Sequence, residues 1–175
     1  MDAVEVARGR RGARGITIRS AELKELFVSL GHGDVRTVLA SGNVVFDSDA
    51  AARTLKPAIE RALGERFGYD AWIVLVPHGS LETIVERYPW PETEETHPYV
   101  VFGSDESALA EIAQAAGELD AGDSALERAA RDGDVVYWEC PKGSSTDTPF
   151  AKLLAKARFR SVTTTRNLRT LRKLL

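Results

Sequence analysis

Apolar residues in this chain alternate between a two-residue and a 3.6-residue spacing, and the order of that alternation occurs twice, which restricts the fold more than any single motif does. A strand around residues 3–7 leads through an arginine-rich loop to a helix with Leu23, Leu26, Phe27 and Leu30 on one face, opened by Ser20 and closed by Gly31. Two strands follow, "VRTVLA" and "NVVFD", joined at Ser41-Gly42-Asn43. Glycine and asparagine tolerate positive φ, so the junction reads as a hairpin. A helix over residues 49–67 aligns Leu55, Ile59, Ala62 and Leu63 and stops at Gly68. The strand "DAWIVLV" comes next, then a helix from Ser80 carrying Leu81, Ile84, Val85 and Tyr88.

After a polar, proline-bearing connector, "PWPETEETHP", the order begins again. "YVVFG" is a strand, and Leu109, Ile112, Ala113 and Ala116 mark a helix ending at Gly117. "ALERAAR" and "DVVYWE" flank the turn pair Asp132-Gly133. A helix capped by Thr148, with Pro149 in its first turn, carries Phe150, Leu153, Leu154 and Ala157. The strand "SVTTT" and a final helix complete the chain. Each half therefore reads βαββαβ with a trailing helix, the ferredoxin-like split βαβ order. The expected class is α+β, with duplicated halves over residues 1–92 and 93–175, antiparallel sheets and helices packed on one face of each. A single α+β sheet made from all the strands is the alternative.

With 175 residues and 43% apolar content, the chain can bury an ordinary core or two small ones. The longest apolar run, "AWIVLV", falls far short of the roughly 18 residues of a membrane span, and the first residues show no signal-peptide pattern, so a soluble cytoplasmic protein is expected. The single cysteine, Cys140, cannot form an internal disulfide and stands outside any zinc-type ligand spacing; a small buried hydrophobe is the expected role.

Charge is strongly segregated beneath a net value of -3. Residues 1–19 sum to +3, residues 148–175 to +8 with no acid at all, and residues 20–147 to -14. If the two ends meet, a positive surface on a negative body would concentrate anions.

The stretches "ARG" with "AELKELF", "GHGDVRTVLASGNVVFDSD", "ERFGYD", "DGDVVYWECPKG" and "TTTRNLRTLRKLL" occur in an order that resembles the bacterial domain-of-unknown-function 1697 family. "SGNVVF" and "TTRN" are its most specific pieces. The resemblance implies a tandem ferredoxin-like fold and no established biochemical function. The chain departs from the family where an "INVGG"-like loop usually follows the first strand: Arg8 and Gly9 match, but the rest reads "RRGARG". It departs again where an "RSKL"-like run precedes the penultimate helix, for "TDTPFAKL" matches only in Lys152 and Leu153.

Three places suit an anion. In "RGRRGARG", glycines permit close backbone approach and the guanidinium groups of Arg8, Arg10, Arg11 and Arg14, with Gly9 between them, offer bidentate hydrogen bonds to phosphate. The run fits neither the GxGxxG nor the P-loop pattern, and a mobile, solvated loop is the more frequent fate of such a run. On the last helix, Arg166 and Arg169 share a basic face with Arg172 and Lys173, opposite Leu168, Leu171, Leu174 and Leu175. Arg172 and Lys173 suit the negative end of the helix dipole, whereas Arg166 falls in the first turn beside Thr165 and Asn167, where an oxyanion or an acidic partner would explain it. Ser41 and Asn43 could bond a ligand, although the turn itself accounts for both.

Catalytic patterns are absent: no HExxH, no GxSxG, and no partner for His32, His78 or His97. Trp90, Tyr137 and Trp138 read as packing residues, and the strands lack the aromatic pattern of an RNA-recognition sheet. The expectation is a binding module without a cofactor or metal, whose basic residues take a phosphorylated small molecule or a nucleic-acid backbone. The alternatives are an enzyme acting on a phosphorylated small molecule, with His32 as base, and a module in which the basic face of one copy meets the acidic body of another chain.

Overall fold

The computed structural model describes residues 2–11, 18–39, 42–104, 106–120 and 127–175, and divides the chain into two units, Met1–Thr83 with Leu171–Leu175, and Ile84–Thr170. The fold is mixed α and β, with two antiparallel four-stranded sheets and helices packed against them.

The first unit runs β1 (Asp2–Arg11), α1 (Ser20–Ser29), β2 (Gly33–Val38), β3 (Asn43–Asp47), α2 (Ala52–Phe67) and β4 (Asp70–Pro77), with strand order β2-β3-β1-β4. Leu23, Leu26 and Phe27 of α1 and Leu55, Ile59 and Leu63 of α2 share one core with Val44, Phe46 and Ile73, which point from one side of the sheet. Successive strand residues face opposite ways, so Val45, Trp72, Val74 and Val76 belong to the other side, and all four are buried as well. Helix α1 begins one residue earlier than its serine suggests. Arg19 is the N-cap, and the Glu22 carboxylate accepts its backbone N–H at 3.2 Å and its Nε at 3.3 Å. The helix ends at Gly31, φ +84°, with the N–H of Gly31 donating to Val28 and that of His32 to Phe27, the wrap that a left-handed glycine allows. Leu30, placed in the apolar stripe by spacing alone, is 37% exposed.

Strand β4 lies at the sheet edge, where unpaired backbone groups invite aggregation. Side chains of α2 cover it. Glu60 Oε1 accepts the Ile73 N–H at 2.9 Å, while Lys56 Nζ donates to the Ile73 carbonyl at 2.6 Å and to Glu60 at 2.7 Å.

Helix α3 (His78–Glu86) leads into the second unit, which contains β5 (Thr96–Gly103), α4 (Glu106–Asp120), β6 (Arg128–Asp132), β7 (Val135–Pro141), α5 (Pro149–Leu154), α6 (Ala157–Arg160), β8 (Thr163–Asn167) and the start of α7 (Leu168–Arg172). The strand order is β6-β7-β5-β8. Leu109, Ile112 and Ala116 of α4, Phe150 and Ala151 of α5 and Phe159 of α6 pack with Val101, Val136, Trp138 and Cys140 of the sheet. Val100, Phe102, Val135 and Tyr137 on its other side are also buried.

Several sequence expectations change. The arginine run expected as a loop after residue 7 is strand as far as Arg11, because β4 supplies a ladder for it: Arg8, Gly9, Arg10 and Arg11 lie opposite Ile73, Trp72, Ala71 and Asp70. Helix α4 passes through Gly117 instead of ending there; one interior glycine costs only about 1 kcal/mol. The helix expected across Ala157 breaks at Lys156, whose ψ of 139° is extended, and the turn this makes delivers Phe159 to the core that already holds Phe150. Positive φ in the β2–β3 turn falls on Gly42 and on Leu39, φ +61°, while Asn43 is the first residue of β3.

Candidate functional site

The expected anion-binding residues fall into both units. Arg8, Gly9, Arg10 and Arg11 belong to β1 of the first, and Arg14 and Ser41 lie outside the described residues. Asn43 is wholly buried, and its Nδ2 donates to the Val38 carbonyl at 3.1 Å, which closes the hairpin.

Thr165, Arg166 and Asn167 are strand residues of β8, opposite Val101, Val100 and Tyr99. This corrects the placement of Arg166 in the first turn of a helix. The helix is the five-residue α7, which starts two residues later, because backbone pairing with β5 extends the strand through Asn167. The dipole argument for an oxyanion at Arg166 falls with it. Arg166 Nη1 instead donates to Thr164 Oγ1 at 2.9 Å and to the Thr165 carbonyl at 3.0 Å. Asn167 Oδ1 accepts the Arg169 N–H at 2.9 Å and so caps α7. Leu168, Leu171 and Leu174 are fully buried, as the stripe requires, and Leu175 is not.

Among the expected residues with described side chains, Arg169 alone stands exposed, and it has company. Lys152 on α5, Lys156 at its end, and Arg158 and Arg160 on α6 are exposed too. Arg158 pairs with Glu111 of α4 at 2.6 Å. For Lys152, Lys156, Arg160 and Arg169, no carboxylate lies within ion-pair distance among the described residues. Lys152, Lys156 and Arg160 stand on or between α5 and α6, which bury Phe150 and Phe159, and Arg169 stands on α7 next to the buried Leu168.

Sequence reasoning missed a polar cluster elsewhere in that unit. Glu139, 4% exposed on β7, receives Arg128 Nε at 3.0 Å and Nη2 at 2.7 Å on one oxygen, and the Tyr88 hydroxyl at 2.9 Å on the other. The Arg128 guanidinium lies 4.8 Å from the Trp90 ring centroid, and Tyr88 meets Trp90 and Tyr137 edge-on. Burial, reinforced by the hydrogen bond to Glu139, pushes the Tyr88 hydroxyl far above the ordinary phenol range. Both carboxylate oxygens are satisfied by protein donors, so the cluster ties the proline-bearing connector to the sheet. The signal in the sequence was the acid itself, placed within the otherwise apolar run "VVYWEC".

His32, the base of the alternative reading, lies among aromatic rings. Its ring packs between Phe46, 4.6 Å away, and Phe27, 5.9 Å away, and burial lowers its pKa. Burial likewise pushes the Cys140 thiol up to about 11, far from a nucleophilic thiolate. Among the described residues no group of three or more His, Cys, Asp or Glu side chains is gathered where a metal could sit, and no helix is long and apolar enough to cross a membrane. On the sheet sides away from the helices, which RNA-recognition folds expose for base stacking, Trp72 and Tyr137 are 8% and 1% exposed.

No curated protein matches the chain. A solved structure described as a conserved bacterial protein, SP0830 from Streptococcus pneumoniae, is similar to it in fold, with a TM-score of 0.74 at 19% identity over 99% of this chain and 95% of that one. The profile of the family described as protein of unknown function (DUF1697) matches residues 12–137, and the chain belongs to that family.

Proposed function

We propose that the protein is a small cytoplasmic binding module for an anionic, phosphate-bearing ligand, which it meets with the exposed cations of its second unit. One observation carries this: Lys152, Lys156, Arg160 and Arg169 stand in a stretch, residues 148–175, that contains no Asp or Glu, and they have no carboxylate partner among the described residues. Residues 84–147 hold four basic and fifteen acidic residues, so the unit is electrically bipolar. Uncompensated charge of one sign focuses ligands of the other. In the sequence, Arg8, Arg10, Arg11 and Arg14 add a second run of cations near the start of the chain.

The scaffold we read as a duplicated ferredoxin-like plait. What supports this is the strand order: in each half the third strand lies between the first and second and runs antiparallel to both, while the fourth flanks the first.

Titration calorimetry with inorganic tripolyphosphate in low salt tests the binding reading. Saturable binding is expected, and it should be lost when Lys152, Lys156, Arg160 and Arg169 are all replaced by Gln. A quadruple variant that binds as well as the parent would overturn the assignment, as would a parent protein that binds nothing.

A further inference from the structure

Helices α5 and α6 dock on the same core through Phe150, Ala151 and Phe159, so their exposed residues share the opposite, outer side. Three of these, Lys152, Lys156 and Arg160, recur every fourth residue. Backbone bonds from Ala155 to Ala151 and from Arg160 to Lys156 close a helical turn on each side of the break, so the Cα atoms that carry successive cations lie about 5–6 Å apart along the chain. Arg158, the other cation here, is engaged by Glu111.

A compact phosphorylated metabolite is ordinarily held in a concave site where a few buried donors converge. The outer side of α5 and α6 offers the reverse, a row of long, exposed cations. Such a row suits a ligand that repeats its negative charge. The aromatic rings of these helices and of the strand beneath them, Phe150, Phe159 and Trp138, are buried to 2% exposure or less, so a single strand finds no base-stacking surface there.

We propose that the outer side of α5 and α6, through Lys152, Lys156 and Arg160, binds the phosphate backbone of duplex nucleic acid without reading its sequence. This rests on the anion-binding reading above and names its ligand class.

Fluorescence anisotropy of the full chain with two labelled DNA duplexes of about 20 base pairs and unrelated sequence tests it, between about 25 and about 200 mM salt. The two duplexes should bind equally, and log affinity should fall against log salt with a slope of about -2 to -3, as expected for two or three phosphates. The pair Lys156→Glu and Arg160→Glu should weaken binding tenfold or more, whereas Lys142→Glu, an exposed cation off the row, should not. If charge reversal disturbs folding, Lys156→Gln with Arg160→Gln gives the same comparison. Folded variants that bind like the parent would overturn the proposal, as would a preference for single strands or for one sequence. Duplex that fails to bind while tripolyphosphate binds through these residues would overturn it and leave the broader reading standing; failure of both ligands would remove the two together.

Discussion

Glu139 interrupts an apolar strand, and its cost of burial is met by Arg128 and Tyr88. Removing one donor leaves a carboxylate oxygen buried without its partner, an asymmetry that makes such bonds expensive to break. Tyr88→Phe is therefore expected to lower stability by about 1–3 kcal/mol in urea unfolding; a change below about 0.5 kcal/mol would show the bond to be idle. The ring of His32 presents the opposite case. Its pKa is lowered by burial, so the unfolded chain takes up a proton first as the pH falls. The contribution is present in full above the unfolded value of about 6.5 and is lost as the pH drops through the folded value. Denaturation at a series of pH values should show stability declining from neutral toward acid, with a smaller decline in His32→Phe. Neither role was legible from sequence, because both depend on which side chains tertiary packing brings near: Phe27 and Phe46 around the imidazole, Tyr88 and Arg128 around the carboxylate.

At the level of elements, local signals succeeded where the physics is local. The apolar stripes of α1, α2 and α4 and the left-handed Gly31 and Gly68 lie where spacing and backbone chemistry put them, and the second hairpin turns one residue later than expected, at Gly133-Asp134, because Asp132 still pairs with Val135. Thr148 caps α5 as expected, accepting the Ala151 N–H at 3.2 Å. Thr148→Ala should cost about 1 kcal/mol by thermal or urea unfolding, with Thr148→Ser close to neutral. Signals failed where a distant strand decided the matter. Arg8 to Arg11 read as loop, yet β4, some sixty residues away, gives them a ladder; Arg166 read as helix, yet β5 holds it extended. The candidate site fared similarly. The basic character of the last segment was plain in the composition, but the break at Lys156 that separates α5 from α6 was not.

Across the whole molecule, the burial of hydroxyl and thiol groups sets an upper limit in pH. Burial raises the Tyr88 hydroxyl far beyond the phenol range, Tyr137 up to about 12 and Cys140 up to about 11. A raised folded pKa supplies stability that is intact below the unfolded value, about 10 for tyrosine, and disappears as the pH climbs toward the folded one. Tyr88 and Tyr137 should therefore ionise only as the protein unfolds in alkali, so that part of the rise in phenolate absorbance coincides with loss of the folded circular-dichroism signal. A phenolate rise that is complete before the protein unfolds would refute this.

Arg36 of β2 donates to the carbonyls of Lys173 and Leu174 at 3.1 and 2.6 Å, and residues 171–175 are grouped with the first unit although they follow the second in sequence. During synthesis the ribosome delivers residues 1–83 early, yet their partner carbonyls emerge only after residue 170 has been translated. The unit begun first is thus completed last, and a chain ending at residue 170 would hold every residue of its second unit while its first still lacked these two carbonyls.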